Sequence, residues 1–591
     1  MIVSLQSRAR FSVRSKICKN SFKPRYHIFL NILAFLIVMS AITLISWGTG
    51  KMTLPLSQLK LEPISLDLWS LCNYSMRTIL RMFLGIIVSL IFTLLVATLA
   101  AKNKYAEQIL IPVLDVLQSV PILGYISFTF TAFLALFPES QMGPEMAAIF
   151  AIFTSQVWNM TFSLYQSLKT LPLELSETAI VFEMDGWSKF WKIEVPFAMP
   201  SLIWNIVMSM SSGWFYVVAS EVIMVGNNRF ALPGIGSYIS LAIVNEDVEA
   251  VSAAIIAMTL VIVLYDQLIL RPLIVWADKF RYEMSSNSVL PTSWMYSVFI
   301  KNLYIKKLFF PLKIIANFVL HTPSKFIRLF NKTDKIVERK TVNNRLGNNY
   351  YWGGFLIISV LTIVYYLANF IYYVVGVPEL LYVLKLGSYT LARVLILTLI
   401  ASLIWLPIGI YIGLNPTLTK IFQPLTQFLS SFPANIFFPI LVVVITHYKL
   451  NPDIWLSPLM IIGSQWYILF NVIAGTTSLP GDLKEVIKNF EIKGSLLWKK
   501  IILPTITPYF ITGAITACGA TWNASIVSEF INYGDKTIMA QGLGSYIAAA
   551  ALHAEFAKVA LGVCMMAFFV VCFDKFFWGP INDYATRKFQ L

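Results

Sequence analysis

Cysteine and histidine are scarce in this sequence of 591 residues, which contains five cysteines and four histidines. The cysteines form no CxxC pair, and the histidines form no cluster with metal-ligand spacing. The pattern G-x-x-x-x-G-K-[ST] of a phosphate-binding loop is also missing. A disulfide framework, a metal site and an ATP-hydrolysing loop of that type are therefore not predicted, and we expect no catalytic residue, metal ion or cofactor on this chain.

Charge is scarce as well, because 13% of the residues are charged while 57% are hydrophobic and 14% aromatic. Soluble domains do not have this composition. A membrane-spanning helix needs about 20 mostly apolar residues, and twelve runs of that kind are present. They lie near residues 27–48, 78–100, 111–137, 146–166, 198–225, 250–270, 353–375, 388–413, 424–446, 454–474, 505–530 and 557–578. The sequence predicts an all-α polytopic membrane protein with about 12 transmembrane helices.

The formal net charge of +15 has a membrane explanation. Residues 1–25 hold seven Lys or Arg and no acid, and residues 271–350 hold fourteen against four acids. The positive-inside rule places both segments in the cytoplasm. Twelve spans return the C-terminus to the same side, so both termini are expected to be cytoplasmic. The first apolar run is expected to remain as a signal anchor.

The chain contains an internal repeat. One set of residues recurs 312 positions later, namely Thr78, Arg81, Pro112, Ser119 and Pro121. A second set recurs after 308 positions, and it includes Gly186, Trp214, Ser220-Glu221, Asp266 and Pro272. The motif GIGSY at 234–238 returns as GLGSY at 542–546. Each half has six predicted spans, an even number, so the two repeats are expected to run parallel across the membrane.

The repeat divides the chain into four parts. We expect a basic cytoplasmic N-terminus at 1–25, a first six-helix repeat at 26–278, a basic linker at 279–350 and a second six-helix repeat at 351–591. The linker mixes aromatic residues with lysines, which favours interfacial helices on an anionic membrane surface over a further span.

Each repeat also has a pair of prolines after a basic, aromatic stretch. Pro504 and Pro508 match Pro196 and Pro200 in the first repeat. A proline removes one helical hydrogen bond and disfavours helical geometry at the residue before it. One helix is therefore expected to end near Leu503, with the next helix starting directly after it as a fixed elbow.

An amphipathic stretch precedes each proline pair. Apolar residues recur there at steps of three or four, which indicates one apolar stripe per loop. They are Leu175, Ala179, Phe182, Gly186, Phe190 and Ile193, and Leu483, Ile487, Phe490, Gly494, Trp498 and Ile501. Glycine is unfavourable inside a helix, so Gly186 and Gly494 are predicted to mark a turn between two short helices. The alternative is an ordinary solvated connection.

These loops resemble a cytoplasmic loop of ABC importer permeases. That loop has the pattern E-A-A, three residues, G, nine residues, I, one residue, L-P. The matching residues are Glu177-Thr178-Ala179, Ile193 and Val195-Pro196, and Glu485-Val486-Ile487, Ile501 and Leu503-Pro504. Glu183 and Glu491 stand where the family has its glycine. The stretches WFYVVASEVIMV and TWNASIVSEF, with the two GxGSY motifs, are similar to the nitrate, sulfonate, taurine and bicarbonate branch, and more closely to its fused, duplicated members.

The resemblance implies a type I importer permease in a bacterial inner membrane that moves a small solute, expected to be an anion. It implies two ABC ATPase subunits, which hold the ATP and Mg²⁺, and an extracytoplasmic solute-binding protein as partners; no nucleic-acid partner is expected. The ATPase-coupling loops would use Glu177, Ala179, Glu183, Gly186, Pro196, Glu485, Ile487, Glu491, Gly494 and Pro504.

Small and polar residues are enriched in the fifth and eleventh spans, and more lie beside prolines in the third and ninth. Polar side chains within a bilayer face protein or a cavity, so these residues are candidates for the translocation pathway, with helix packing as the alternative for each. They are Gln118, Ser119, Ser211, Ser212, Trp214, Ser430, Ser431, Thr521, Trp522, Asn523 and Ser525.

Charges near the span ends are candidates for a gate. Glu221 and Glu529 are expected to pair across the interface between the repeats and help close an outer gate, with structural pairing or simple snorkelling as the alternatives. Arg81 and Arg393 are expected either to give the cavity mouth a positive field or to reach lipid headgroups. Two functional alternatives stay open. An ion-coupled secondary transporter with two parallel repeats would need charges at mid-membrane, and a membrane enzyme would need a convergent acid, base or metal cluster.

Overall fold

The computed structural model describes residues 64–280, 293–301 and 376–589, together with four residues between 365 and 373. Short gaps inside these ranges fall at 138–139, 226–227, 246, 435–437, 478, 480–486, 488, 493, 534–535 and 554. The apolar run predicted at 27–48, nearly all of the run at 353–375, most of the linker and Glu485 lie outside the described residues.

The fold consists of helices and two short β-hairpins. The helices of the first repeat are α1 Leu68–Lys102, α2 Lys104–Ser119, α3 Ile122–Leu136, α4 Met142–Lys169, α5 Leu173–Val181, α6 Gly186–Lys189, α7 Val195–Ser220, α8 Ile235–Val244, α9 Val248–Tyr265 and α10 Arg271–Ala277; α11 Trp294–Lys301 lies in the linker. The helices of the second repeat are α12 Val377–Leu414, α13 Pro416–Ser431, α14 Phe438–His447, α15 Pro452–Trp455, α16 Ser457–Ile462, α17 Gln465–Thr477, α18 Gly494–Leu497, α19 Leu503–Ser528, α20 Leu543–Leu552, α21 Phe556–Phe573 and α22 Gly579–Phe589. The antiparallel hairpins pair β1 Val222–Val225 with β2 Asn228–Ala231, and β3 Phe530–Tyr533 with β4 Lys536–Met539.

Eight helical segments within the described residues are long and apolar enough to cross a membrane. All eight coincide with predicted apolar runs, which confirms the prediction of an all-α polytopic membrane protein. The runs predicted at 111–137 and 424–446 are each broken into two shorter helices, at Val120-Pro121 and at Phe432-Pro433. The breaks follow from the prolines, because the residue before a proline is held in extended geometry; Val120 and Phe432 both have φ −76° and ψ 125°.

Equivalent helices pack in the same order in both repeats. In the first repeat α4 packs against both α1 and α7, and in the second α17 packs against both α12 and α19. The repeats meet where α3 contacts α19 and α21, and where α7 contacts α13. The loop between α4 and α7 lies at one end of these helices and the β-hairpin after α7 at the other. These ends are called the loop end and the hairpin end below.

The expectation that a helix stops near Leu503 is wrong. The chain stays helical through a five-residue π turn, Trp498–Ile502, which leads directly into α19; the first repeat has the same turn at Phe190–Glu194. In an α-helix the ring of Pro504 would collide with the carbonyl four residues back. The wider π turn contains that carbonyl, so the helix continues past the proline without the collision.

Two further π turns, Asp266–Leu270 and Asp574–Trp578, follow α9 and α21. Each is also followed by a proline at the second residue after the turn, Pro272 or Pro580. Within residues 64–280 and 376–589 the same arrangement therefore occurs at four places: a π turn that accommodates a proline inside a continuous helix.

The turn inside the first loop is formed by Glu183 and not by Gly186. Met184 N–H donates to the carbonyl of Ala179 at 2.9 Å, and Glu183 N–H donates to that of Ile180 at 3.0 Å. This is the Schellman pattern that ends a helix, in which the residue after the C-cap is left-handed and usually glycine. Glu183 takes this position with φ 45°, and Glu491 does so in the second repeat with φ 46°.

The family's glycine position is thus a left-handed position here too, although glutamate occupies it. Gly186 is the first residue of α6 and does not have a positive φ, so the prediction that it forms the turn is wrong. Gly494, at the start of α18, does have a positive φ of 62°.

We expect Glu183→Gly to stabilise the protein. The left-handed conformation costs a non-glycine residue about 1–2 kcal/mol, and glycine removes that strain. Glycine also makes the unfolded chain more flexible, which lowers the stability by about 0.4–1 kcal/mol and offsets part of the gain. The thermal unfolding midpoint of the purified protein should rise. Glu177→Gly is the matched control: Glu177 is an exposed residue inside α5, where glycine costs about 1 kcal/mol. The same substitution should therefore lower the midpoint there, and a fall in both variants would contradict the assignment.

Candidate functional site

A cavity of about 860 Å³ lies between the two repeats. The first repeat lines it with residues of α2, α3, α4 and α7, and the second with residues of α13, α14, α16, α17, α19 and α21. The cavity lies where the repeats contact each other, so a motion of one repeat against the other would change its shape.

Five of the predicted pathway residues line this cavity: Gln118, Ser211, Ser212, Ser430 and Asn523. They come from four helices, two in each repeat. The enrichment of small and polar residues in the fifth and eleventh spans therefore identified part of the lining.

Other predicted pathway residues lie away from the cavity lining. Trp214 is buried against the edge of the Tyr265 ring, and Trp522 is buried and stacked on Phe569. The hydroxyl of Thr521 is hydrogen-bonded to that of Ser464 at 2.8 Å. These side chains pack within their own repeats, which was the alternative that the sequence left open.

Ser525 is also not among the described residues that line the cavity. Ser525 Oγ donates to the carbonyl of Trp522 at 2.8 Å, within its own helix. Ser119 is the last residue of α2, and its side chain is outside the described part of the structure.

Some of the pathway candidates connect the two repeats. Ser211 Oγ lies 3.0 Å from Ser431 Oγ, and Ser430 Oγ lies 3.4 Å from the same Ser211 hydroxyl. At another point the Ile122 N–H donates to Asn523 Oδ1 at 2.9 Å. Each is a neutral hydrogen bond with a net contribution of about 0.5–1.5 kcal/mol. The described polar contacts at these points are therefore weak enough to be exchanged when the repeats move.

A buried ion-pair network lies at the hairpin end of the first repeat. Glu221 Oε1 accepts hydrogen bonds from Thr78 Oγ1 at 2.6 Å and from Arg81 Nη1 at 2.8 Å. Glu221 Oε2 accepts the N–H of Gly236 at 2.6 Å. The other side of the Arg81 guanidinium forms a two-point contact with Glu145, with both distances 2.6 Å. The network ties α1, α4, α7 and the N-terminus of α8 together.

Two carboxylates face one guanidinium in this network, so its formal charge is −1. The N-terminus of α8 balances part of that charge, because unpaired N–H groups and the helix dipole stabilise an anion there. Glu221 is placed at this N-terminus through its bond to Gly236.

The second repeat has the same network with a more open outer part. Glu529 accepts from Thr390 at 3.0 Å, from Arg393 at 2.9 Å and from the Gly544 N–H at 2.8 Å. Arg393 reaches Asp453 through a single contact of 3.3 Å. The side chains of Arg393 and Asp453 are 14% and 42% exposed, whereas that of Arg81 is completely buried.

The first glycine of each GxGSY motif lies against the buried carboxylate of Glu221 or Glu529, which explains why glycine recurs there. A Cβ added at Gly234 would lie 2.1 Å from the carboxylate carbon of Glu221, and one at Gly542 would lie 2.2 Å from an oxygen of Glu529. A Cβ cannot be accommodated at such distances. The glycines therefore let the chain pass over the carboxylate, and the following N–H groups can bind it.

The predicted gate charges pair inside their own repeats. Glu221 and Glu529 do not contact each other across the interface, and Arg81 and Arg393 are not among the described residues that line the cavity. Each arginine is instead held by acids on neighbouring helices of its own repeat.

The sequence reasoning missed Glu145 and Asp453. They are acids exactly one repeat apart, at the 308-residue offset. That coincidence, at the ends of two equivalent spans, was the signal that could have found them.

The coupling loop of the first repeat has one buried and one exposed face. Ala179 and Phe190 are buried, and Glu194 beside Phe190 forms an ion pair of 2.8 Å with Lys102 of α1. Ile180 and Val181 are exposed, as is Phe182 at 67%. The loop is therefore fixed to the helices on one face and presents apolar side chains on the other.

The remaining coupling residues lie on or beside these loops. Glu177 is exposed on α5, and Pro196 is the second residue of α7. In the second repeat, Ile487 is partly buried and Pro504 is the second residue of α19. Phe490 is 76% exposed at the position of Phe182.

We expect Glu221→Gln to destabilise the protein strongly. The substitution removes the charge-assisted hydrogen bonds that the buried carboxylate accepts from Arg81 and Gly236, and a hydrogen bond to a charged group contributes about 1.5–3 kcal/mol. Glu529→Gln should cost less, because Arg393 and Asp453 are partly accessible to water. Thermal unfolding of both purified variants in one detergent gives the comparison. Equal losses, or a larger loss for Glu529→Gln, would show that the difference in burial does not control the stability of the two networks.

Comparison with known proteins identifies the family of this chain. The family model described as "Binding-protein-dependent transport system inner membrane component" matches residues 89–270 and, a second time, residues 405–577. The first match includes α4 and α7, and the second includes α17 and α19, so both walls of the cavity are contained in matched regions.

Several named relatives match shorter stretches of the chain. The chain is 31% identical over 135 residues to the bicarbonate transport system permease protein CmpB of Synechococcus elongatus, which is 23% of this chain and 47% of that protein. It is 26% identical over 189 residues to the nitrate import permease protein NrtB of Leptolyngbya laminosa, 32% of this chain and 63% of that protein. It is 25% identical over 206 residues to the glycine betaine/carnitine transport permease protein GbuB of Listeria monocytogenes, 34% of this chain and 66% of that protein.

The chain spans about half the length of the bicarbonate relatives that it matches. The resemblance inferred from the loops is confirmed at the level of the family, and the apolar helices make the protein a multi-pass membrane protein. Because the family model matches twice and covers more than half of the 591 residues, the chain belongs to the family of binding-protein-dependent transport system inner membrane components, and it is a fused, duplicated member.

Proposed function

We propose that this protein is the complete permease of an ATP-binding cassette importer, with both transmembrane halves in one chain. The observation that supports it is the cavity between two copies of one family domain, lined by equivalent helices of both. A pathway at the interface of two repeats opens alternately to either side when the repeats rock against each other.

Two separate ATPase subunits drive this motion by docking on the two loops. The loops support this part of the proposal because each exposes a phenylalanine at the same repeat position, Phe182 or Phe490, and in the first loop the opposite face is fixed to the helices. An exposed apolar patch of this kind is typical of an interaction site. Movement of a docked subunit would pass through the π turns into α7 and α19, which both line the cavity.

A solute-binding protein delivers the cargo at the hairpin end in this mechanism, and the loops face the cytoplasm of a bacterial cell. The basic segments 1–25 and 271–350 support that orientation through the positive-inside rule. The proposed cargo is a small solute. The names of the relatives include bicarbonate, nitrate and glycine betaine or carnitine, so they leave both anions and zwitterions open as cargo.

The reaction is tested by reconstituting the full chain in liposomes with candidate ATPase subunits and a binding protein. We expect solute accumulation that requires ATP. Accumulation that proceeds without the ATPase subunits and follows an ion gradient would instead favour a secondary transporter.

We expect the double variant Phe182→Asp, Phe490→Asp to lose ATPase binding. A carboxylate at the centre of an apolar contact remains desolvated and unpaired, which weakens such interfaces by more than about tenfold. Co-purification of the ATPase subunits with the full chain measures the effect. Val248→Asp is the matched control, since Val248 is 80% exposed but lies at the hairpin end. Retained binding in the double variant, or equal loss in the control, would contradict docking on the loops.

A further inference from the structure

Both repeats leave a polar group without a partner at the same position of the cavity wall. Asn159 of α4 and Tyr467 of α17 are equivalent at the 308-residue offset, and both line the cavity. Neither the Asn159 amide nor the Tyr467 hydroxyl forms a hydrogen bond with another described residue. The other asparagines of the described lining, Asn205, Asn471 and Asn523, each donate to a carbonyl or hydroxyl of the protein. The two groups therefore differ from the other amides of the wall.

Burial makes the missing partner of Tyr467 informative. Tyr467 is 5% exposed although it lines the cavity, and a hydroxyl removed from water without a hydrogen bond is unfavourable. Its counterpart Asn159 is exposed. Polar side chains within a membrane face the protein interior or a cavity, and they mark substrate pathways. An equivalent pair on the two walls suits a ligand that forms a hydrogen bond with each repeat.

The described lining does not suit a small anion. It contains no Arg, Lys or His, and proteins bind small anions through such side chains or through free backbone N–H groups. The first N–H of α3, at Ile122, is already donated to Asn523 Oδ1 at 2.9 Å. Asp574, the one charged residue of the described lining, has an interaction within the protein, so its charge is not assigned to a ligand. The Asn159 amide and the Tyr467 phenol are uncharged, and they fit an uncharged ligand.

A tryptophan beside Asn159 offers a flat surface to the same ligand. Trp158 lines the cavity and contacts no other aromatic ring among the described residues. Its repeat counterpart, Trp466, is not in the described lining and packs against Trp405, with the ring centroids 5.0 Å apart. Flat rings stack favourably on aromatic side chains. Trp158 is thus available for a ring at the side of the cavity where Asn159 lies.

The size of the cavity also favours an organic solute. Its volume of about 860 Å³ is within the range of sites for small organic molecules, about 300–1,000 Å³. An inorganic anion would fill only a small part of this space and would leave most of the wall without a contact.

We propose that the cargo is an uncharged organic solute with a flat, polar ring, and not an inorganic anion such as nitrate or bicarbonate. Asn159 and Tyr467 bind its polar groups from the two repeats, and Trp158 packs against its ring. This inference rests on the proposed function, since it assigns a cargo to that pathway.

The test measures equilibrium binding of radiolabelled adenine, uracil and adenosine to the purified full chain at neutral pH, where all three are uncharged. We expect saturable binding of at least one of them, which equal concentrations of AMP, sodium nitrate and sodium bicarbonate do not displace. AMP has the same ring as adenine and adenosine but is an anion, so it isolates the effect of charge. The absence of saturable binding for all three compounds, or displacement by any of the anions, would overturn the proposal.

Variants at the paired position locate the binding. Tyr467→Phe removes only the hydroxyl, and Asn159→Leu replaces the amide by an apolar group of similar size. Each should weaken binding about threefold or more, the effect of one lost hydrogen bond. Tyr265→Phe and Asn73→Leu are the matched controls and should keep the parent affinity, because Tyr265 is also buried and Asn73 Oδ1 also lacks a partner, but neither residue is in the described lining. Unchanged affinity in both variants, or equal losses in the controls, would overturn the assignment of the pair.

The two equivalent tryptophans test the packing of the ring. Trp158→Leu should weaken binding about fivefold or more by removing the aromatic surface, whereas Trp466→Leu should not. Each variant is compared only after its elution profile matches that of the parent protein. Equal losses at the two positions would contradict a role for Trp158 in the site.

Adding the ATPase subunits separates this inference from the proposed function. Binding of an uncharged ring compound without any ATPase assembly would retain the cargo class and reject the importer. ATP-dependent uptake of nitrate, with no binding of the three compounds, would retain the importer and reject the cargo class.

Discussion

The buried pairing of a glutamate with an arginine at the hairpin end holds each repeat together. In the first repeat, Glu221 at the end of α7 binds Arg81 of α1 and the N-terminus of α8 at once. Four segments distant in sequence converge on these few atoms, and Arg81 is completely shielded from water. A charge buried in this way is tolerated only when all its partners are in place. The network therefore fixes the arrangement of helices that supports one wall of the cavity.

The two repeats share this frame but not its detail. The carboxylate, the threonine, the arginine and the glycines recur, while the outer acid changes from a buried glutamate to a partly exposed aspartate. The cavity lining also differs between the repeats: Trp204 of the first repeat corresponds to Thr512 of the second. The two repeats thus share the residues that form the buried network, whereas residues that face the cavity differ between them. An asymmetric cavity inside a nearly symmetric frame is the result.

Much of this fold could be predicted from the sequence. Apolar runs of sufficient length located the described membrane-spanning helices, and the offsets of 312 and 308 residues predicted the duplicated architecture. The offsets also suggested equivalent roles for Arg81 and Arg393. Their partners Glu145 and Asp453 were missed because a pairing across about 60 residues depends on how helices pack, which periodicity does not report.

Local backbone geometry was harder to predict. A proline inside a helical pattern predicts a break, and the break did occur at Pro121 and Pro433. Before Pro196 and Pro504 the helix instead widens into a π turn. The rule that a proline breaks a helix does not include this alternative. Glu183 shows the same limit, because glutamate seldom adopts a left-handed φ and its neighbour Gly186 was the more obvious residue for the turn. In both cases tertiary packing selects a conformation that local preference disfavours.

The π turns set how far each long helix is rotated about its axis relative to the short helix before it. Each turn holds roughly one residue more than an α-helical turn, and one residue corresponds to about 100° of rotation around a helix axis. The side chains of α7 are therefore rotated by about that angle relative to an unbroken extension of α6. Deleting one residue, such as Lys192, would convert the turn to regular helix and swing the whole loop to another side of α7. The orientation of the loop and the orientation of the pathway wall are thus set by the residue count of a single turn.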